Sequence, residues 1–325
     1  MSVPVLGIDI AKRSYQVTLR AGDKIQRHTF ANHVDQFHDL SAWLTEQGVE
    51  RCHACLEATN RYWEDLASYL YAQGHTVSVL NPARIRGYAM SKLLRNKTDK
   101  LDADLIADFC ATQKPDVWQP LPPEVQELQA LMRHWEDLKS LRSEIHTRLS
   151  NGSPSASVHD LVSAHLAFLD QQIAELKKQI ENHINQHPGL KQQRDLLASI
   201  PGIGTLTAAK LLSENIQAFS STRALVAYAG LSPQQRLSGT SIHARPRMSK
   251  IGNAHLRKAL YFPAINARRF NPVIQVFCER LSQRDKPTMT IIGAAMRKLL
   301  CLALGVLKSG VPFDPNFQAK TVFST

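Results

Sequence analysis

Within the first hundred residues, short apolar runs alternate with helical patterns, and this alternation limits the possible folds more than any other feature. Residues 3–10 form a β-type run ending in Gly7-Ile8-Asp9-Ile10, and residues 15–19 and 24–30 alternate around the turn Ala21-Gly22-Asp23. Three successive strands are predicted. Residues 34–47 place Phe37, Leu40, Trp43 and Leu44 at helical spacing before Gly48. A strand over 51–56 then finishes at Glu57, a helix over 62–72 closes at Gly74, and a strand over 76–80 stops at Asn81-Pro82. With a helix starting in Asn96-Lys97-Thr98-Asp99 and running to Phe109, the order is βββαβαβα, an α/β domain over residues 1–122.

That last helix carries Asp99 and Asp102 three residues apart on one face, while Asp104 points to the opposite side. Like charges at this spacing disfavour a helix by a few tenths of a kcal/mol, so a sequence that keeps them either loses stability or holds a cation. In an open α/β sheet, groups that act on ligands gather at strand ends. Asp9 and Glu57 both fall there. Taken singly, Glu57 could cap the next helix, Asp9 could end a strand and Asp99 could be solvated. If strands one and four are neighbours and the late helix crosses them, Asp9, Glu57, Asp99 and Asp102 converge. Four carboxylates coexist only around cations, and hard oxygen ligands select Mg²⁺ or Mn²⁺, the ions used for in-line displacement at phosphorus.

Charge is unevenly distributed along the 325 residues. Of the formal +11, residues 199–325 hold 17 Lys+Arg against 4 Asp+Glu, whereas residues 1–122 balance at 14 against 14. A polyanion, most commonly nucleic acid, is the partner such a surplus suggests. Asp9 and Lys12 interrupt the only short apolar run near the N-terminus, which argues against a signal peptide and for a cytoplasmic protein. Residues 289–307 are the most apolar stretch, but Arg297 and Lys298 lie in its middle, so a buried helix is expected rather than a membrane span. Five cysteines suit a reducing compartment. Cys52-His53-Ala54-Cys55 has no second pair at zinc spacing, so both cysteines are expected as ordinary strand residues.

Pro120, Pro122 and Pro123 mark a boundary. Residues 124–149 and 158–187 then read as two long amphipathic helices broken by Asn151-Gly152-Ser153-Pro154-Ser155. Over 123–190 this suggests an antiparallel arm, either a dimerisation coiled coil or a hairpin packed on its own chain. The basic domain, 191–325, opens with Ser199-Ile200-Pro201-Gly202-Ile203-Gly204-Thr205 between helical segments. Helix, tight turn, helix is the layout of a helix-hairpin-helix, whose exposed N–H groups at Gly202 and Gly204 can meet a phosphate, although a plain interhelix turn has the same pattern. Residues 230–252 read as a long irregular polar segment, and a helix follows over 253–269. Hydroxyls lie there among Arg236, Arg245, Arg247, Lys250 and, just beyond, Arg257. Guanidinium groups can neutralise a phosphodiester while a serine attacks it, with Ser232, Ser238, Ser241 and Ser249 as candidates.

Gly-Ile-Asp-Ile-Ala-Lys at 7–12, Leu-Glu-Ala-Thr at 56–59 and Asn-Lys-Thr-Asp-Lys-Leu-Asp-Ala at 96–103 resemble the N-terminal domain of the DEDD insertion-sequence transposases. The resemblance implies a ribonuclease-H-like, RuvC-like catalytic domain, with Asp9, Glu57, Asp99 and Asp102 as its four metal-binding acids. In the C-terminal part, Gly230-Leu231-Ser232-Pro233, Ser238-Gly239 and Arg247-Met248-Ser249-Lys250, with Gly252 and Leu256-Arg257, are also similar to that family. They imply that Ser238 is the nucleophile. The resemblance further implies strand cleavage and rejoining through a phosphoserine intermediate and guidance by a bridge RNA that pairs with donor and target DNA. It also implies assembly as a homo-oligomer, from dimer to tetramer. Two other functions fit the residues: a metal-dependent nuclease or junction resolvase in which water attacks, and a non-catalytic DNA-binding protein.

Overall fold

The computed structural model describes residues 3–58, 60–93, 99–152, 155–238 and 242–316, with the backbone alone for 99–101, 235–238 and 242–246. Asn96-Lys97-Thr98, Thr59, Gly239 and Ser241, which belong to the motifs above, lie outside the described residues. The chain divides into two units, Met1–Pro120 and Leu121–Thr325.

In the first unit, β1 (Val5–Ile10), β2 (Ser14–Ala21), β3 (Lys24–Ala31), β4 (His53–Glu57) and β5 (Thr76–Leu80) form one sheet in the order β3-β2-β1-β4-β5. β1 pairs antiparallel with β2 and parallel with β4, which pairs parallel with β5. The two crossovers are α1 (Phe37–Glu46) and α2 (Glu64–Ala72). Side chains alternate across a strand, so β1 divides its residues between two cores. Leu6, Ile8 and Ile10 join Leu40, Leu44, Leu66 and Leu70 of α1 and α2 on one face. Val5 joins Cys55, Leu105, Ile106 and Phe109 on the other.

Two helices cover that second face. Asn81, expected only to stop β5, also begins α3 (Pro82–Ser91): its side chain accepts a hydrogen bond from the Ala83 N–H, and Pro82 occupies the first helical position. An Asn cap followed by Pro is a helix start as well as a strand stop. α4 (Asp99–Gln113) then crosses the sheet at Gly7, where an added Cβ would lie 2.3 Å from the Ala107 nitrogen and 2.4 Å from the Ala103 oxygen. Both neighbours are backbone atoms and cannot move aside. Gly7→Ala is therefore expected to destabilise this unit by about 3 kcal/mol, the upper end of overpacking costs. A denaturation midpoint unchanged from wild type would contradict that close approach.

One expectation is corrected here. Cys55 is not an isolated strand residue but is disulfide-bonded to Cys110 of α4, with 6.1 Å between Cα atoms. Cys52 precedes the strand and packs in the opposite core. The two halves of the Cys-x-x-Cys sequence thus face apart.

The second unit begins with α5 (Pro123–Ser150) and α6 (Ala156–Gln186). They pack on each other within the one chain, through Ile145, Leu166 and Leu169 near the tip. Nearer the base, Val125, Leu128 and Met132 share a core with Leu176, Ile180 and Ile184 and with the helices that follow. Those are α7 (Pro188–Ala198), α8 (Thr205–Ser213), α9 (Thr222–Tyr228), α10 (Ala254–Phe270), α11 (Pro272–Ser282) and α12 (Thr288–Ser309). α12 is long and apolar enough to cross a membrane, yet Ile291, Ala295, Leu299, Leu300 and Ala303 are buried in this core. It is a core helix of the unit.

The segment expected to be irregular, 230–252, is largely a β-hairpin instead. β6 (Pro233–Ser238) pairs antiparallel with β7 (Ile242–Met248), with a register irregularity between Gln234 and Arg236. Pro246 has no N–H to give the ladder, and an irregular register accommodates such a residue. Polarity concealed β6, which carries no apolar alternation, while in β7 Pro246 interrupts an alternation of Ile242, Ala244 and Met248 with polar residues.

Candidate active site

The acid edge of the first unit follows from register. Ile8 pairs with Leu56 on parallel strands, so Asp9 and Glu57 come next on neighbouring strands and leave the sheet at the same edge. They also share a face. Gly7 and Asp9 alternate together on β1, as do His53, Cys55 and Glu57 on β4, and Gly7 and Cys55 are the residues that α4 covers. Both acids are half-buried.

The direction of α4 is set by two other acids. Asp104 accepts hydrogen bonds from Thr18 Oγ1 at 2.8 Å and from Arg27 Nε and Nη2, both at 2.8 Å. Thr18 is the partner of Gly7 across the sheet. Asp108 accepts from Arg20 Nη1 at 2.7 Å and Tyr88 Oη at 2.7 Å, and pairs with Lys92 Nζ at 2.9 Å. Arg20 is the partner of Val5. Between residues 104 and 108 the helix therefore moves from the level of Gly7 toward the start of β1. Followed the other way, its first turn, with Asp99 and the half-buried Asp102, projects toward the strand end where Asp9 lies. The structure thus brings Asp9 and Glu57 together and aims the Asp99–Asp102 turn at the same edge.

Asp104 and Asp108 divide from that set by environment. Burial opposes ionisation of Asp108, but hydrogen bonds from Tyr88, Lys92 and Arg20 outweigh it and hold the carboxyl down at about 2. Burial likewise opposes the charge on Asp104, and the bonds from Arg27 and Thr18 again prevail. These acids fasten α4 to the sheet. Sequence reasoning missed this role, and the signal that could have found it was the Thr18, Arg20 and Arg27 alternation on the adjoining hairpin.

A pH dependence follows. The folded carboxyl of Asp108 titrates below its unfolded value, so its stabilisation is fully present above about pH 4 and is lost as pH falls toward about 2. Asp108→Asn is expected to cost about 1–2 kcal/mol at neutral pH, allowing for solvent screening of its partners. The difference from wild type should vanish in acid, checked by denaturant titration between pH 2 and 7.

In the second unit, Ser238 is the last residue of β6 and pairs with Ile242 beside the hairpin tip. Arg236 lies on β6, and Arg245 and Arg247 on β7. Arg247 and Lys250 are exposed. The base of the hairpin is closed by Ser249 N–H to Ser232 O at 3.0 Å and Asn253 N–H to Tyr228 O at 2.7 Å. Arg257 is partly used in that closure. Its Nη1 donates to the Ala229 carbonyl at 3.0 Å and the Gly252 carbonyl at 3.1 Å.

Gly202 and Gly204 differ in setting. Gly202, at φ 105°, packs against Ala267 of α10, which leaves no space for a side chain. Gly204 is exposed and caps α8, so the free N–H groups of that helix open beside it.

Comparison with known proteins covers both units. The DEDD transposase profile of the IS110 group matches residues 6–151, and the profile described as "Transposase IS116/IS110/IS902 family" matches residues 194–279. Proteins named "Pilin gene-inverting protein" from Moraxella bovis and Moraxella lacunata are each 36% identical over 98% of this chain and 100% of their own length. The transposase for insertion sequence element IS1328 of Yersinia enterocolitica is 26% identical over 80% of this chain and 82% of its own.

Proposed function

Because the chain belongs to the IS110 group of DEDD insertion-sequence transposases, which are DNA recombinases, we propose that it breaks and rejoins strands through a covalent DNA–phosphoserine link. Asp9, Glu57, Asp99 and Asp102 hold Mg²⁺ or Mn²⁺, and Ser238 is the nucleophile. The observation that carries this reading is the single acid edge, where Asp9 and Glu57 leave adjacent strands on the face crossed by α4. Its donors are all carboxylate oxygens, the set that hard divalent ions take, and an ion bound there would supply positive charge opposite the scissile phosphate.

The chain's own residues do the rest. Ser238 Oγ forms a bond to phosphorus as the bond from phosphorus to a bridging deoxyribose oxygen breaks. The serine proton is released and the departing oxygen takes one up. One phosphodiester replaces another, so a DNA hydroxyl can reverse the step and join a new strand without outside energy. Arg236, Arg245, Arg247 and Lys250 neutralise the phosphate backbone, and the N–H groups opening at Gly204 receive a phosphate. Arg257 acts mainly by holding the base of the hairpin. A bridge RNA pairs with donor and target DNA, and the protein works as a homo-oligomer, dimer to tetramer. Relatives named for gene inversion match from end to end, and the same exchange between two sites on one DNA inverts the segment between them.

The test is direct. Copurified nucleic acid is sequenced to identify guide and target, and the protein is then incubated with that DNA and Mg²⁺. A protease-sensitive protein–DNA species on a denaturing gel, together with joined products, is expected. Free hydrolysed ends alone would replace this reading with a water-using nuclease, and DNA binding without cleavage would replace it with a non-catalytic protein.

A further inference from the structure

We infer that His53, Cys55 and Cys110 form a binding site for one soft divalent cation of the Zn²⁺ class, separate from the acid edge and open when the two cysteines are reduced. The inference does not rest on the proposed mechanism. It starts from convergence: the imidazole nitrogen and the two sulfurs all lie within 4.8 Å of one another. Two thiolates and an imidazole are the ligands Zn²⁺ favours, and they are poor ligands for Mg²⁺.

The spacing suits a shared ion. Two ligands of a tetrahedral zinc, at ordinary Zn–S and Zn–N lengths, lie about 3.6 Å apart. Cys55 Sγ and His53 Nε2 are 3.9 Å apart. Burial lowers the pKa of His53, which keeps the ring in the neutral form that binds metals. Its Nε2 lies 2.8 Å from Ser78 Oγ, and that hydroxyl donates to the Asp116 carbonyl at 2.8 Å. The ring can therefore shift its proton to Nδ1 and turn Nε2 to an ion, while Ser78 keeps a partner. A cleft of about 600 Å³ lined by Val5, Arg20, His53, Thr76, Cys110 and Lys114 admits a water as fourth ligand.

The chemistry balances as a two-stage exchange. A dithiol reductant passes two electrons and two protons to the Cys55–Cys110 disulfide and becomes a cyclic disulfide. The two protein thiols then lose their protons as they bind the ion. Disulfide and ion are alternatives. Either one clips β4 to α4, the elements that carry Glu57 and Asp102 at their other ends. Cys110 follows Asp102 by eight residues, about 12 Å along a helix, so the clip stands well behind the acid edge.

Full-length protein would be reduced with a dithiol, freed of metal with a chelator, desalted and titrated with Co²⁺ as the probe. One equivalent should produce a thiolate-to-cobalt charge-transfer band that Zn²⁺ then removes, and carboxylate-bound cobalt has no such band. The band should be lost in Cys110→Ser and in the oxidised protein, and retained in Cys52→Ser and Asp102→Asn. As a measurement free of variants, reduced wild type should retain one more Zn²⁺ per chain on dialysis than oxidised wild type. Absence of the band in reduced wild type, its full height in Cys110→Ser, or equal zinc content in the two redox forms would overturn the inference.

Discussion

Ser238→Ala is expected to abolish the covalent protein–DNA adduct while leaving divalent-ion binding within about twofold of wild type. The two halves of this expectation have different physical origins. Adduct formation requires an oxygen that can bond to phosphorus, and alanine has none, so the loss should be complete rather than graded. On the proposed assignment, ion binding depends on carboxylates in the other unit, at the ends of β1 and β4 and on α4, and Ser238 belongs to a hairpin within Leu121–Thr325. Gel analysis under denaturing conditions reads the first effect and calorimetric titration with Mg²⁺ the second. Persistence of the adduct in the variant would remove Ser238 as nucleophile. Hydrolytic cleavage that continues without the adduct would point instead to attack by water.

Asp102→Asn should lower strand cleavage on the order of 10³-fold or more and weaken Mg²⁺ binding markedly, because in the proposed site the change removes one negative ligand while conserving side-chain shape. Asp102 is half-buried in the first turn of α4, whereas that helix is fastened farther along by Asp104 to Thr18 and Arg27 and by Asp108 to Arg20, Tyr88 and Lys92. Asp104→Asn provides the contrast. It should loosen the helix and lower the melting temperature with a smaller, indirect loss of cleavage. If the two variants behaved alike, the division between ion-binding and fastening acids would be wrong.

That division shows how far the residues could be read without coordinates. Asp9 and Glu57 were legible because each closes a short apolar run, and runs that end at turn signals place their last residues at a sheet edge. The helix that bears Asp99 and Asp102 was legible in the sequence, and their three-residue spacing puts them on one side of it. The hairpin bearing Ser238 was not, since Pro246 and a run of polar residues hide a strand pair whose stability comes from its ladder and from the Tyr228–Asn253 closure. Helix α3 was hidden by the double meaning of Asn81-Pro82, which ends one element and begins another. Cys55 and Cys110 gave no local sign of each other across 55 residues.

By itself the chain determined the order of its elements, the chemical identity of the acids and the accumulation of positive charge in residues 199–325. Periodicity and composition are local, and those properties need nothing else. Only the tertiary structure decided that the turn from Ala103 to Ala107 rests on Gly7, that Asp104 and Asp108 face cations, that the first turn of α4 runs toward the strand ends, and that Cys55 meets Cys110. Apart from Asp108 with Lys92, each of these pairings joins positions 55 or more residues apart, and it depends on strand order, register and the direction in which a helix crosses the sheet, none of which is written in a local pattern.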